Sequence, residues 1–336
     1  MFLYLSLLKE EKIAAYRVDP GTGYLDPLGD TPTPGEPASL AGGPGGRVLY
    51  AAMRSTGALC SFAVDPESGR LDLLHTLETG LRDPAYVATD SGGRYLVTPY
   101  YESGAVTVHA IDADGAARGP QTARVDTAPH AHGVAFGPGE RSVFVPHTCP
   151  GNAVWQFAFE DGRLRPNRPP RLECADGVGP RHLHLHPQNG MAYGVNEQGN
   201  SVTAYRLDAG GGALEPVQSL STLPPGHSGG ACARMEIHPS GRFLYAANRG
   251  HDSLACFRIA PSGALEGAGV FPTETTPRSF HWDPSGRFLY AAGEGNDRLS
   301  LYRVDAADGA LDRLCTYVTG RVPWWVQVVA PARTAD

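Results

Sequence analysis

The chain has 336 residues and a formal net charge of −7; its 28 basic residues are almost all Arg, with Lys at positions 9 and 12 alone. No basic run exists, which argues against a nucleic-acid surface. With 42 Gly, 29 Pro and 19% charged residues, the composition is that of an all-β protein rich in turns and not of a disordered chain.

The chain opens on Met1-Phe2-Leu3-Tyr4-Leu5-Ser6-Leu7-Leu8. This segment has no basic n-region and no small-residue cleavage site before Lys9-Glu10-Glu11-Lys12, so it reads as a strand and not as a secretory signal. No later segment is long and apolar enough to span a membrane as a helix. Six Cys (60, 149, 174, 232, 256 and 315) are scattered without a CxxC pair. They read as reduced thiols of a cytoplasmic protein.

A phrase then recurs along the chain. Gly46-Arg47-Val48-Leu49-Tyr50-Ala51-Ala52 returns at Gly93-Arg94-Tyr95-Leu96-Val97, Gly241-Arg242-Phe243-Leu244-Tyr245-Ala246-Ala247 and Gly286-Arg287-Phe288-Leu289-Tyr290-Ala291-Ala292. Weaker copies begin at Glu140 and Asn189. The spacing of about 45 to 52 residues fits stacked four-stranded units. The unit near the C-terminus parses most cleanly. Strands are expected at Arg278–Asp283, Phe288–Ala292, Arg298–Val304 and Leu311–Thr319, with Pro284-Ser285-Gly286-Arg287 and Asp308-Gly309 as turns.

Laid over the whole chain, the pattern places first strands near Pro37, Pro84, His130, Pro180, Ala231, Pro277 and Pro323. Second strands fall near Phe2, Arg47, Arg94, Arg141, Gly190, Arg242 and Arg287. The chain thus opens on a second strand and closes on a first strand, Pro323–Val329. These two ends complete one sheet, which leaves no free inner edge. The expected fold is an all-β, seven-bladed β-propeller of four-stranded antiparallel blades. Its ring is closed by the C-terminal strand pairing into the N-terminal blade. Residues 1–330 form the single domain and 331–336 a short tail.

In such a blade the start of the first strand and the end of the second lie on one face, near the axis. First-strand starts contribute His130, His132, Arg181, His182, Arg234 and Arg278. Second-strand ends contribute Tyr100, Tyr101, Glu102, His147, Asn196, Glu197, Asn248, Arg249 and Glu294. The opposite face receives the Pro-Ser-Gly-Arg turns. Converging ionisable groups in a concave mouth mark the expected site. The Tyr of Leu-Tyr-Ala-Ala, with Tyr205, Tyr302 and Trp155, is assigned to packing. Trp324 and Trp325 either line the mouth or fill the seam, and burial in the core is the commoner case for such a pair.

At these positions the chain resembles the seven-bladed lactonase family typified by bacterial 6-phosphogluconolactonase, to which the fungal carboxy-cis,cis-muconate cyclase is related. The segments that carry the resemblance are Pro129-His130-Ala131-His132-Gly133-Val134, Gly179-Pro180-Arg181-His182, Val195-Asn196-Glu197, Ala247-Asn248-Arg249 and Pro272-Thr273-Glu274-Thr275-Thr276-Pro277-Arg278. The resemblance implies that His132, Glu197, Arg181 and Arg249 are catalytic. It implies hydrolysis of a sugar lactone, foremost 6-phosphogluconolactone of the pentose phosphate pathway. The alternatives are a lactonase or cycloisomerase acting on another lactone, of muconate type, and a non-enzymatic binding platform.

Lactone opening needs an activated water, a donor for the developing oxyanion and a grip on the substrate. His132 or Glu197 can take the proton; Arg181 and Arg249 offer paired N–H donors to an anion. His130, His182, Arg278 and His147 are the expected substrate-binding groups. Direct attack by water is the expected route. His130/His132 and His182/His184 each put alternate imidazoles on one strand face, but no catalytic metal and no other cofactor is expected. The expected partner is a small anionic sugar lactone, with no nucleic acid and no membrane. The expected assembly is a monomer or weak homodimer.

Overall fold

The computed structural model describes residues 1–208, 210 and 212–330; the expected tail at 331–336 lies outside the described residues. The strands form seven four-stranded antiparallel sheets. Blade 1 runs, from the axis outward, through Pro323–Val329, Phe2–Leu7, Lys12–Val18 and Leu25–Pro32. Blades 2 to 7 begin at the axis with Pro37–Gly42, Ala88–Thr89, Ala135–Phe136, Pro180–Leu185, Ala231–Ile237 and Pro277–Trp282. The innermost strands of neighbouring blades touch across the axis, as Pro323–Val329 does with both Pro37–Gly42 and Pro277–Trp282. The fold is a seven-bladed β-propeller whose two chain ends close blade 1.

The expected strands Pro323–Val329 and Arg298–Val304 are observed with those bounds. Second strands of blades 2 to 7 begin one residue after the position read from sequence, because that residue, Arg in five blades and Gly190 in blade 5, completes the turn. In blade 7 the Gly286 φ is 72° and the strand opens at Phe288. These second strands are apolar runs with no alternation, because each packs against a blade on either side: all six residues of Phe2–Leu7 are buried. Tyr residues on them latch blade to blade. Tyr4, Tyr50, Tyr193 and Tyr290 donate to the carbonyls of Gly69, Gly115, Gly263 and Gly23, at 2.7–2.9 Å, and Tyr245 donates to Gly309 in the same way.

The inner strands of blades 3 and 4 are shorter than the sequence suggests. Single bridges at Pro84↔Tyr100 and Ala131↔His147 mark their expected starts, and regular pairing resumes only at Ala88 and Ala135. The backbone that leaves the ladder there borders the mouth. No helix of the described residues is long and apolar enough to cross a membrane.

Candidate active site

The mouth is built from two equivalent positions of each blade. The first lies at the start of the inner segment, where the residue follows the partner of the second strand's end (of Asn248 in blade 6): Ala38, Ala85, His132, Arg181, Ala233, Arg278 or Trp324. In blades 5, 7 and 1 this residue is skipped by the ladder. Pro180 and His182 pair with adjacent residues Asn196 and Val195, leaving Arg181 as the extra residue of a bulge; Arg278 and Trp324 occupy the same place. A bulge re-aims a side chain, and here it turns each of these toward the axis. All but Ala233 line one cavity of about 110 Å³.

The second position is the residue just beyond each second strand. Arg54, Tyr101 and Glu197 reach the cavity from there. Arg249 and Glu294 join through ion pairs with Glu197 and Arg278. Asp83, just before Pro84, completes the lining beside Arg54, whose Nη2 lies 2.9 Å from its Oδ2.

Glu197 sits between two cations. Its Oε2 is 2.8 Å from Arg181 Nε and its Oε1 is 3.1 Å from Arg249 Nη2. Burial pushes its pKa up, but Arg181 and Arg249 together outweigh that, and the carboxyl stays ionised below its usual range. Arg181 is itself almost fully buried, which pulls it down to about 10 against the pull of Glu197, so it remains a cation. His132 is buried among Arg181, Arg278, Arg249 and Arg54. Burial first and these cations second hold its pKa well below that of a free imidazole, so it is neutral, and its Nδ1 has no hydrogen-bond partner. Arg278 lies 3.4 Å above the centroid of the Trp324 ring, and Arg54 lies 5.1 Å from the same ring.

His132, Arg181, Glu197 and Arg278 thus come together in the cavity, with Arg249 behind Glu197. The other expected groups lie elsewhere. His182 is one layer deeper: its Nε2 is 3.2 Å from Arg181 Nη1, and its ring packs against His132, Tyr86 and Trp325. His130 stacks on Tyr101 at 4.2 Å, its Nδ1 on the Cys149 carbonyl, away from the cavity lining. His147 is the last residue of its strand, like the buried Tyr100 and Asn196; Asn248 holds the equivalent place in blade 6, where the strand runs one residue further to Arg249. His147 therefore points into the sheet stack, where it bonds Thr127 and the Val145 carbonyl. The mouth position of blade 4 belongs to Thr148. Arg234 also lies deeper, paired with Glu236 and 4.1 Å from the Trp325 ring. His184 borders a separate cavity with Glu236 and His281.

Sequence reasoning missed Arg54 and Asp83, although both lie on repeat positions that could have been counted out from Tyr101 and His130. The two Trp divide: Trp324 lines the mouth, while Trp325, 4% exposed, belongs to the hydrophobic core and closes the floor of the cavity.

Residues 2–328 match the family described as "Lactonase, 7-bladed beta-propeller". The chain belongs to this lactonase family. The lactonase is 32% identical to the 6-phosphogluconolactonase of Pectobacterium carotovorum and 31% identical to that of Sodalis glossinidius, with 98% of each chain covered in both cases. Among solved structures, the periplasmic gluconolactonase of Pseudomonas aeruginosa superposes with a TM-score of 0.90 at 27% identity, covering 98% of this chain and 99% of that one. The lactonase is accordingly a lactone hydrolase. One further segment, Gly226-His227-Ser228-Gly229-Gly230, spells the Gly-x-Ser-x-Gly of a nucleophile elbow. In the lactonase it is an exposed loop between blades 5 and 6 with no helix following, so it lacks the strand-turn-helix setting that the elbow requires.

Proposed function

We propose that the lactonase opens 6-phosphogluconolactone to 6-phosphogluconate by direct attack of water in the mouth. The observation that supports an anionic substrate is the charge count. Arg54, Arg181, Arg249 and Arg278, with Arg82 paired to Glu102 at the rim, are five cations against the four carboxylates Asp83, Glu102, Glu197 and Glu294, while His132 is neutral, a net of +1 at the mouth even with these carboxyls ionised. In this reading Arg181 stabilises the oxyanion, aimed and held by Glu197. Arg278, flat on Trp324, takes the phosphate. His132 offers the lactone a neutral hydrogen-bonding group. Arg249 supports the site through Glu197.

Cytoplasmic residence in the pentose phosphate pathway belongs to the same proposal, supported by six free cysteines and by the names of the curated relatives. A monomer or weak homodimer is also proposed. Among the described residues the exposed large apolar side chains are Tyr24, Leu28, Leu73, Val217 and Val318, which belong to blades 1, 2, 5 and 7.

The test compares freshly made 6-phosphogluconolactone with δ-gluconolactone for wild type and Arg278→Met. The wild type is expected to prefer the phosphorylated lactone, and Arg278→Met to lose that preference mainly through KM. Equal or faster turnover of the unphosphorylated lactone would move the lactonase toward the gluconolactonase activity of its Pseudomonas relative.

A further inference from the structure

We infer that Asp83 is the general base of this lactonase and that Arg54 is its positioning partner. The inference rests on the reading of the mouth as the lactone site, but not on which lactone it takes. Two carboxyl groups line the cavity. Glu197 has both oxygens occupied by cations, so a proton there would have to displace an ion pair. Asp83 has only Oδ2 occupied, by Arg54 at 2.9 Å, and Oδ1 has no partner among the described residues. Asp83 is 6% exposed and borders the same cavity as His132 and Arg181. It is the carboxylate with an oxygen to spare for a water facing the oxyanion donor.

Its backbone is fixed independently of its side chain. Asp83 occupies the left-handed position that precedes the inner segment, with φ 57°, shared with His130, Gly179, Gly230, Thr276 and Val322. Its carbonyl accepts from Tyr101 N at 2.7 Å. The repeat therefore supplies the turn, and blade 3 uses it to present a carboxylate.

The charged groups facing Asp83 are Arg54, Arg278 and Glu102, with Arg181, Glu197 and neutral His132 across the cavity. Burial, reinforced by Glu102, outweighs the pull of Arg54 and lifts the Asp83 pKa above the usual aspartate value, which makes it a stronger base than an exposed aspartate.

In the step assigned to it, Asp83 Oδ1 takes a proton from water as the water oxygen bonds to the lactone carbonyl carbon. The carbonyl electron pair moves onto its oxygen, facing Arg181. As the carbonyl re-forms, the bond from carbon to the ring oxygen breaks, and Asp83 returns its proton to that oxygen. The products are a hydroxyl and a carboxylic acid, which releases its proton to solvent. Asp83 ends the cycle ionised.

The test measures kcat and kcat/KM against pH for wild type, Asp83→Asn, Arg54→Met and Arg54→Lys, on whichever of the two lactones the wild type turns over. If that lactone is the unphosphorylated one, the substrate reading fails while the test of Asp83 stands. Asn tolerates a left-handed backbone, and thermal melts of each variant check folding. Asp83→Asn is expected to lower kcat by about 100-fold or more and to abolish the acid limb of the profile, while the folded variant still binds the anionic product by calorimetry. Arg54→Met is expected to move the acid limb to higher pH, because losing the cation favours the protonated carboxyl, and Arg54→Lys to restore it in part. A folded Asp83→Asn enzyme that keeps its acid limb, or more than about a tenth of kcat, would overturn the assignment, as would an unmoved acid limb in Arg54→Met.

Discussion

Glu197 bridges two cations of the mouth. Its two oxygens divide between Arg181 and Arg249, two cations that would otherwise repel each other and, in the case of Arg181, lie almost fully buried. Removing the carboxylate strands a buried cation, and breaking such a pair typically costs about 3–5 kcal/mol. The same change frees Arg181 from the direction in which it points. Losing one preorganised oxyanion donor lowers kcat by about 100- to 1,000-fold. Glu197→Gln is therefore expected to lose both melting temperature and kcat, and Glu197→Asp, too short to reach both cations, to recover little of either. A Glu197→Gln enzyme with wild-type melting and turnover would show that Arg181 needs no anchor. Gly133, beside His132, contributes by what it lacks: a Cβ there would sit 2.7 Å from the Arg181 carbonyl oxygen. Only glycine lets blade 4 bring its His this close to the Arg of blade 5.

At the scale of the element, the repeated Tyr-to-Gly latch explains why Leu-Tyr-Ala recurs in the second strands. Tyr290 ties blade 7 to the Gly23 carbonyl of blade 1, across the seam where the chain ends meet. Tyr290→Phe keeps the ring packing and leaves that carbonyl without its donor. The expected loss is about 1 kcal/mol, a melting shift of roughly 2 °C for a chain of this size, with kcat unchanged because the latch lies away from the mouth. Tyr50→Phe, at an interior seam, is expected to behave alike. No shift in either variant would reduce the latch to packing alone. Blades 3 and 4 carry Val97 and Phe144 where the latch Tyr would stand, and they are also the blades with broken inner strands.

This scale also separates what could be read from sequence from what could not. The period and the closing strand were legible because turn residues and apolar runs repeat in composition. The facing of individual side chains was only partly legible. A strand alternates, so His147, one residue short of the mouth position, points into the sheet, whereas Glu197, one residue beyond its strand, reaches the cavity. The bulges that present Arg181, Arg278 and Trp324 are shifts of register between two strands, a relation that no single segment spells out. Arg54 and Asp83 carry no motif of their own, and only their distance from equivalent residues in other blades marks them.

Seven of the twelve histidines tie stability to pH, five of them buried and two, His184 and His281, half-buried. His109, His132, His147, His182, His184, His238 and His281 all have pKa values depressed first by burial, to about 4 for His147 and His184 and about 3 for His281. Each stays neutral in the folded ring where the unfolded chain would protonate it, below a pKa of about 6.5. The unfolded state therefore binds more protons, and stability falls as pH drops. Each group contributes up to about 1.4 kcal/mol per pH unit between its unfolded and folded pKa values. Asp83 and Glu236, whose pKa values burial raises, oppose this, but two groups face seven. The lactonase is expected to lose melting temperature steeply from pH 7 to pH 5 and to take up several protons per molecule on unfolding near pH 5.5. Calorimetric unfolding in buffers of different ionisation enthalpy reads that uptake directly. A melting temperature flat across this window, or no net uptake, would mean that these imidazoles find water or a counter-charge in the folded ring. A steep loss would show that these histidines set the acid limit of the fold.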